Sequence, residues 1–301
     1  MSQTLAPQAP VEKARRRRHP TERKSTILTL IMWALVAYFL LPLLWLMIAA
    51  TKNNDDLFTT FGLWFGSRFS LWDNLVDVFT ASDGIYLRWA GNTVLYAVVS
   101  SLGATFLATM AGYAFAKYDF PFKRAMFSTV LGAIMIPMTA LAIPTYLLFA
   151  NAGLTNTIWA VIIPSLVSPF GVFLMQTYAA DAIPDSMIEA ARVDGAGEIA
   201  IFFRVCLRML APGIITVLLF TLVATWNNYF LPLIMLSTSE LYPLTVGLAQ
   251  QQSASMAGSG SQALFSTVIT GSLVAILPLI IAFLFLQRYW QSGLATGSVK
   301  E

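Results

Sequence analysis

Six apolar stretches of about 20 residues, none containing an Asp, Glu, Lys, Arg or His, limit what this chain can fold into. They fall at roughly 27–50, 90–115, 125–149, 158–178, 212–236 and 263–286, each long enough to cross a bilayer as a helix rising 1.5 Å per residue. In hydrocarbon every backbone amide must find its partner within the protein, so a helix is the form such stretches take. The expected fold is therefore an all-α integral membrane protein with six transmembrane helices. Only 11% of residues are charged and 57% are hydrophobic, against about 25% charged in a soluble domain. The abundance of Leu, Ile, Val and Phe excludes disorder. The first stretch follows 26 polar residues and precedes no small-residue cleavage site, so it reads as a retained helix rather than a secretory signal.

Short loops rich in Lys and Arg stay on the cytoplasmic side. One side holds 15 of the 18 basic residues, among them Arg15 to Arg18, Lys117, Lys123, Arg124, Arg192, Arg204, Arg208, Arg288 and Lys300; the other holds Lys52, Arg68 and Arg88. Both termini are thus expected in the cytoplasm. The run Arg15 to Arg18 beside a membrane span anchors topology and attracts anionic lipid, and no nucleic-acid partner is expected. The chain divides into a basic tail over 1–26, a transmembrane domain over 27–286 containing a long cytoplasmic loop at 179–211, and a tail over 287–301.

Uncharged spans exclude a proton or ion relay, since an intramembrane charge is kept only for function. There is no G-x-x-x-x-G-K-[ST] phosphate loop, so energy for uphill transport must come from a partner. With one Cys, Cys206, and one His, His19, no metal site is expected. The loop acids Asp55, Asp56, Asp73, Asp77 and Asp83 have no His or Cys companions and read as solvated surface, which leaves no catalytic set. The fragment GAGEIA at 195–200 follows no strand, so it is no dinucleotide turn.

The cytoplasmic loop carries most of the remaining information. Ser186 and Glu189 have capping-box spacing, predicting a helix that begins just after Pro184 and Asp185. Gly195 suits the left-handed turn that would end it. A second helix from Ala196 would place Ile199, Phe202, Phe203, Cys206 and Leu210 on one apolar side, with Arg204 and Arg208 on another. Ala190 and Ala191 would let a neighbouring surface approach the first helix closely, as in docking; a helix merely packed beneath the bundle would have the same composition.

EAARVDG at 189–195, followed after nine residues by Val205 and Leu207, resembles the signature loop of the permease subunits of binding-protein-dependent ABC importers. Arg208 stands where that signature has Pro, and Pro212 can still open the fifth span. WNNYFLPL at 226–233 and the tail RYWQSGLATGSVKE, through Gly293, Leu294, Gly297, Val299 and Lys300, resemble the maltose-type carbohydrate branch; Asn228 stands where an acid is common. The resemblance implies a type I ABC importer permease fold and a carbohydrate substrate, a di- or oligosaccharide. It implies as partners a second homologous permease, two cytoplasmic ATP-binding subunits and an extracytoplasmic solute-binding protein. ATP and Mg would be bound by those ATPase subunits, with no cofactor in this chain. It assigns coupling to Glu189, Ala190, Ala191, Asp194 and Gly195, and lays the tail along the ATPase, where a frayed terminus is the other reading. A sugar phosphate or glycerophospho compound is an alternative substrate; an autonomous secondary transporter is disfavoured by the uncharged spans.

Trp226, Asn227, Asn228 and Tyr229 form the densest polar and aromatic cluster inside an expected span. Aromatic faces and amides suit a sugar path, but they also serve as interhelical glue. Thr139 and the Pro137 to Pro144 break come next as pathway candidates. Outside the membrane, Trp64 and Trp72 read as interfacial anchors, and the stretch ending in QQSASMAGSGSQ reads as a flexible outer loop.

Overall fold

The computed structural model describes residues 25–256 and 265–295. These are helical almost throughout: α1 Thr26–Ala49, α2 Asn54–Thr59, α3 Leu71–Lys117, α4 Lys123–Ile134, α5 Ala142–Asn151, α6 Trp159–Ser165 and α7 Pro169–Ala182. There follow α8 Asp185–Val193, α9 Glu198–Ala200, a π-helical turn Ile201–Cys206, α10 Leu207–Met209, α11 Ala211–Trp226, α12 Phe230–Met235, α13 Leu244–Met256 and α14 Phe265–Ala295. The chain forms two units, 1–45 and 46–301. The described part of the first is an uninterrupted helix, apolar on all sides, as a lipid-embedded helix is.

In the second unit α3 is the central element. It packs along α7 and α11 and also meets α6, α13 and α14. Its buried face carries Ala97, Ser100, Ser101, Ala104, Thr105, Ala108, Thr109 and Gly112, small side chains at helical spacing. Such a stripe lets helix backbones approach closely where lipid offers no hydrophobic drive between helices. Between α3 and α11 the Thr105 and Thr221 hydroxyls lie 3.3 Å apart. One apolar cluster joins α3, α7, α8 and α11 through Tyr113, Met175, Ile183, Ile188, Phe202, Cys206 and Val217. Another joins Val78, Tyr86 and Trp89 of α3 to Leu244 and Leu248 of α13.

Four helices among the described residues are long and apolar enough to cross a membrane: Thr26–Ala49, Leu71–Lys117, the α6–α7 pair Trp159–Ala182 and Phe265–Phe285. Counting α9 to α11, bent by 80°, gives a fifth. The stretch expected as a third continuous helix is broken into α4 and α5 by turns over 135–141, where Pro137 brings no backbone donor and disfavours helix at the residue before it, while Pro144 is tolerated in the first turn of α5. The expected fifth helix stops at Trp226 instead of 236, and α14 runs past 286 to Ala295. Leu71 rather than residue 90 begins α3, with a kink over Ala81–Gly84.

Asp56 corrects the reading of the loop acids. It is buried and accepts from the backbone amide and hydroxyl of Ser67, both at 3.0 Å. Nearby, the Lys52 ammonium is buried too and donates to Thr60 Oγ1 at 2.8 Å and to the Phe61 carbonyl at 2.9 Å. These bonds knot the segment 52–68 into a fixed loop.

Candidate functional site

Two regions gather the candidate residues. The first is the loop from Ile183 to Leu210. Its helix α8 starts at Asp185, with Pro184 in the N-cap position and no side-chain cap. Ser186 therefore already has helical geometry, and the expected capping box does not form. Asp185 instead places its carboxylate beside the positive helix start and accepts from Lys117 Nζ at 2.8 Å, which holds the Asp185 carboxyl below the usual carboxylate range.

The other end of α8 is as expected. Gly195 has φ of +82°, the Gly195 amide bonds to the Arg192 carbonyl and the Ala196 amide to the Ala191 carbonyl, both at 3.0 Å. That is the paired bonding of a Schellman ending. Glu189, Ala190, Asp194 and Gly195 are exposed and Ala191 is half-buried, while Ile188 turns inward. Four of the five coupling candidates thus share the outer surface of one short helix and its turn.

Past the turn the expected apolar face is redistributed. Ile201, Phe202, Cys206 and Leu210 are buried, but Ile199 is 77% and Phe203 46% exposed. The cause is the π turn: the Leu207 amide reaches back to the Phe202 carbonyl, five residues away, and the wider turn shifts the register of inward-facing positions. Gly197, Ile199, Ala200 and Phe203 then line a shallow, mostly apolar depression together with Glu198 and Arg204. Val205 and Leu207 pack on the core, and Arg208 is exposed.

Glu198 ties the two halves of the loop. It accepts from Arg192 Nε at 2.7 Å, from Arg192 Nη2 at 3.2 Å and from the Tyr118 hydroxyl at 2.6 Å. The Arg192 guanidinium and then the Tyr118 hydroxyl hold the Glu198 carboxyl below its ordinary range. Burial, followed by the bond to Glu198, pushes the Tyr118 hydroxyl up.

The second region is an open cleft of about 340 Å³ bordered by the end of α11, α13 and α14. Trp226, Asn227 and Tyr229 line it together with Thr245, Gln252, Ser272 and apolar residues of α13 and α14. Trp226 is fixed by its indole N–H donating to the Ala275 carbonyl at 3.2 Å, and Asn227 donates to the Val223 carbonyl at 2.9 Å. The cluster occupies a break between α11 and α12, not the middle of a helix. Asn228 is outside the cavity lining: its side chain accepts from the Leu231 amide at 3.4 Å and its carbonyl from the Thr245 hydroxyl at 2.8 Å. Thr139 stands exposed in the turn between α4 and α5 and does not join this group.

Thr245 and Gln252 escape the sequence because 237–262 reads as an outer loop with a flexible end, and Ser272 because it is one small residue within an expected span. The apolar residues of LTVGLAQQQ do not recur at helical spacing, so no local periodicity announces α13. Gly293 and Leu294 belong to the last turn of α14, and Gly297, Val299, Lys300 and the run Arg15 to Arg18 lie outside the described residues.

The family model of the binding-protein-dependent transport system inner membrane component matches residues 104–295, a span containing both regions. The chain belongs to this family. As an inner membrane component of a transport system it is a multi-pass membrane protein. It is 34% identical over 268 residues to the arabinooligosaccharides transport system permease protein AraQ of Halalkalibacterium halodurans, covering 89% of this chain and 92% of that one. To the lactose transport system permease protein LacG of Rhizobium radiobacter it is 30% identical over 288 residues, 95% and 98% of the two chains. Its fold matches that of a chain in the crystal structure of a bacterial ABC transporter involved in the import of the acidic polysaccharide alginate, with a TM-score of 0.76 and 20% identity, over 88% of this chain and 95% of that chain.

Proposed function

We propose that this inner membrane component is the permease subunit of an ATP-driven importer of neutral di- or oligosaccharides, forming half of the translocation path. Its partners are a second homologous permease, two cytoplasmic ATPase subunits that bind ATP and Mg, and an extracytoplasmic solute-binding protein. No cofactor is assigned to this chain. In this reading the broken pair α4 and α5 and the bent α9 to α11 complete six spans, with both termini in the cytoplasm.

The observation that carries the reading is the outward-facing surface of α8 and its turn, with Glu189, Ala190, Asp194 and Gly195 exposed, followed in the chain by the apolar depression of Ile199 and Phe203. Charged groups exposed on a short helix, with apolar groups exposed just beyond its turn, suit a protein partner. Closure of the ATPases would draw this helix inward and rock the bundle as a rigid body. Glu189, Ala190, Ala191, Asp194 and Gly195 take the docking role, and Gly293, Leu294, Gly297, Val299 and Lys300 extend along the ATPase.

At the solute end, Trp226, Asn227 and Tyr229 offer an aromatic face and an amide to sugar hydroxyls. None of the described residues lining that cavity is cationic, which favours a neutral sugar over a sugar phosphate or glycerophospho compound. Purification of the chain in mild detergent with whatever accompanies it, followed by vesicle uptake of arabinotriose, lactose and glycerol 3-phosphate with and without ATP, tests this. ATP-dependent uptake of a neutral sugar by a complex containing an ATPase is expected. Uptake by the isolated chain without ATP would replace it with an autonomous transporter.

A further inference from the structure

Two consecutive residues at the end of α3 hold opposite ends of α8. Lys117, its side chain 7% exposed, donates to Asp185 at the first position of α8. Tyr118 donates to Glu198, which grips Arg192 in the last turn of α8. Beneath them the Tyr113 ring contacts Tyr118 edge-on at 5.6 Å and Phe202 at 5.1 Å. A helix pinned at one end can swivel; pinned at both, it follows the element that holds it.

The same α3 grips a second structure far away. Trp89 Nε1 donates to the Ser239 carbonyl at 2.9 Å, Asn92 Nδ2 to the Glu240 and Tyr242 carbonyls at 2.7 and 3.0 Å, and Tyr96 Oη to the Leu241 carbonyl at 2.9 Å. Thr93 Oγ1 accepts from the Leu244 amide at 2.8 Å. Positions 89, 92, 93 and 96 share one helix face. What they hold is the lead-in to α13, the helix that supplies Thr245 and Gln252 to the cavity. From Ile85 to Lys117 the backbone of α3 stays helical, about 50 Å at 1.5 Å per residue.

We propose that α3 is a strut on which α8 and the cavity wall α13 ride together, with Lys117 and Tyr118 as the positioning residues that seat α8 on it. This rests on the reading of α8 as the ATPase-docking helix. The covalent routes from α8 run through Ile183 and Pro184 into α7 at one end and through the turn at Gly195 and the π segment at the other, and neither junction has the continuous helical bonding of α3. Exposed ion pairs add little to stability, so the significance of the Asp185 and Arg192 contacts is geometric.

The test uses the complete transporter in vesicles, with Cys206→Ala as background and spin labels at Met187→Cys on α8 and Ser253→Cys on α13. The distance between labels is expected to stay constant, within about one helical turn of 5 Å, between the resting and the ATP–vanadate-trapped states. With Lys117→Met and Tyr118→Phe combined, the trapped-state distance should shift or broaden, and arabinotriose uptake per ATP hydrolysed should fall on the order of tenfold with subunit composition unchanged. Exchanging the charges, Lys117→Asp with Asp185→Lys, should recover the constant distance that Lys117→Asp alone loses. A labelled distance that changes on trapping in the unaltered strut overturns the proposal, as does a double variant that behaves like the parent or loses subunits. Glu189→Lys separates the two readings: if it uncouples while the strut variants do not, only the strut falls; if it too is silent, the docking role of α8 falls with it.

Discussion

A Cβ atom placed on Gly112 of α3 would stand 2.5 Å from the Met175 Cβ and 2.7 Å from the Gln176 backbone nitrogen of α7. The two helices meet backbone to backbone here, and no rotamer change can open the gap. Gly112→Ala should therefore destabilise the bundle by about 1–3 kcal/mol, the usual cost of overpacking, and Gly112→Leu should prevent assembly. Met175→Ala should not rescue either, because the obstructing atoms are Cβ and main chain. The yield of monodisperse complex on size exclusion checks this; normal yield of Gly112→Leu would contradict the packing.

Gly195 presents the opposite case. Nothing lies within 4 Å of its would-be Cβ, yet its φ is +82°. Any cost of substitution is conformational, about 1–2 kcal/mol for a residue with a Cβ held left-handed, and smaller for Asn. Gly195→Pro cannot adopt this φ at all and should release the end of α8. The expected order of uptake per ATP hydrolysed is wild type, Gly195→Asn, Gly195→Ala, Gly195→Pro. Equal ratios across the series would detach the turn from coupling.

Trp226, Asn227 and Asn228 adjoin in sequence but have different surroundings. Asn227 is exposed to the cavity, so Asn227→Leu should lower sugar uptake by about tenfold, the worth of one hydrogen bond of about 1–1.5 kcal/mol, with assembly intact. Asn228 accepts from the Leu231 amide at the start of α12, so Asn228→Ala should cost about 1 kcal/mol of stability, as a lost cap does, and lower the melting temperature of the complex. A reversed pattern, stability lost with Asn227→Leu and transport with Asn228→Ala, would exchange the two roles.

Much of this architecture is legible in local chemistry. The proline pair at 137 and 144 announces a break, Gly195 announces the left-handed turn, and uncharged runs mark α1, α3 and α14. What escaped depends on distant partners or on a change of helical period. The burial of Asp56 depends on Ser67, eleven residues on, which no periodicity reports. Ile199 and Phe203 fit an α-helical stripe with Cys206, and only the π turn at Ile201–Cys206 turns them outward. Lys117 reads as a topology charge, since its pairing with Asp185 joins positions 68 apart. At the cavity, Trp226 and Asn227 were visible as unusual residues for a span, whereas Gln252 required knowing that α13 folds back against α14.

The acid limb of the pH response should be late. Asp185 and Glu198 both have carboxyl groups held below their ordinary values by Lys117 and by Arg192 with Tyr118, respectively. A depressed carboxylate contributes stabilisation that is present above its unfolded value, about 4, and lost as pH falls through the lower folded one. Tyr118, raised by burial and by Glu198, keeps its donating proton through the ordinary tyrosine range near about 10, and its contribution is lost as pH rises through the higher folded value. Amide exchange across α8, corrected for intrinsic rate, should therefore be flat from about pH 5 to about pH 9, rise below about pH 4, and rise again above the ordinary tyrosine range near about 10. Glu198→Gln removes the charge but keeps an acceptor for Tyr118, so it should leave only the Asp185 share of the acid limb and move the alkaline limb to lower pH, since the Glu198 charge helps hold the Tyr118 proton. Loss of α8 protection between pH 6 and 5 (roughly, on the ordinary histidine range) would mean that some group other than these carboxylates holds the helix.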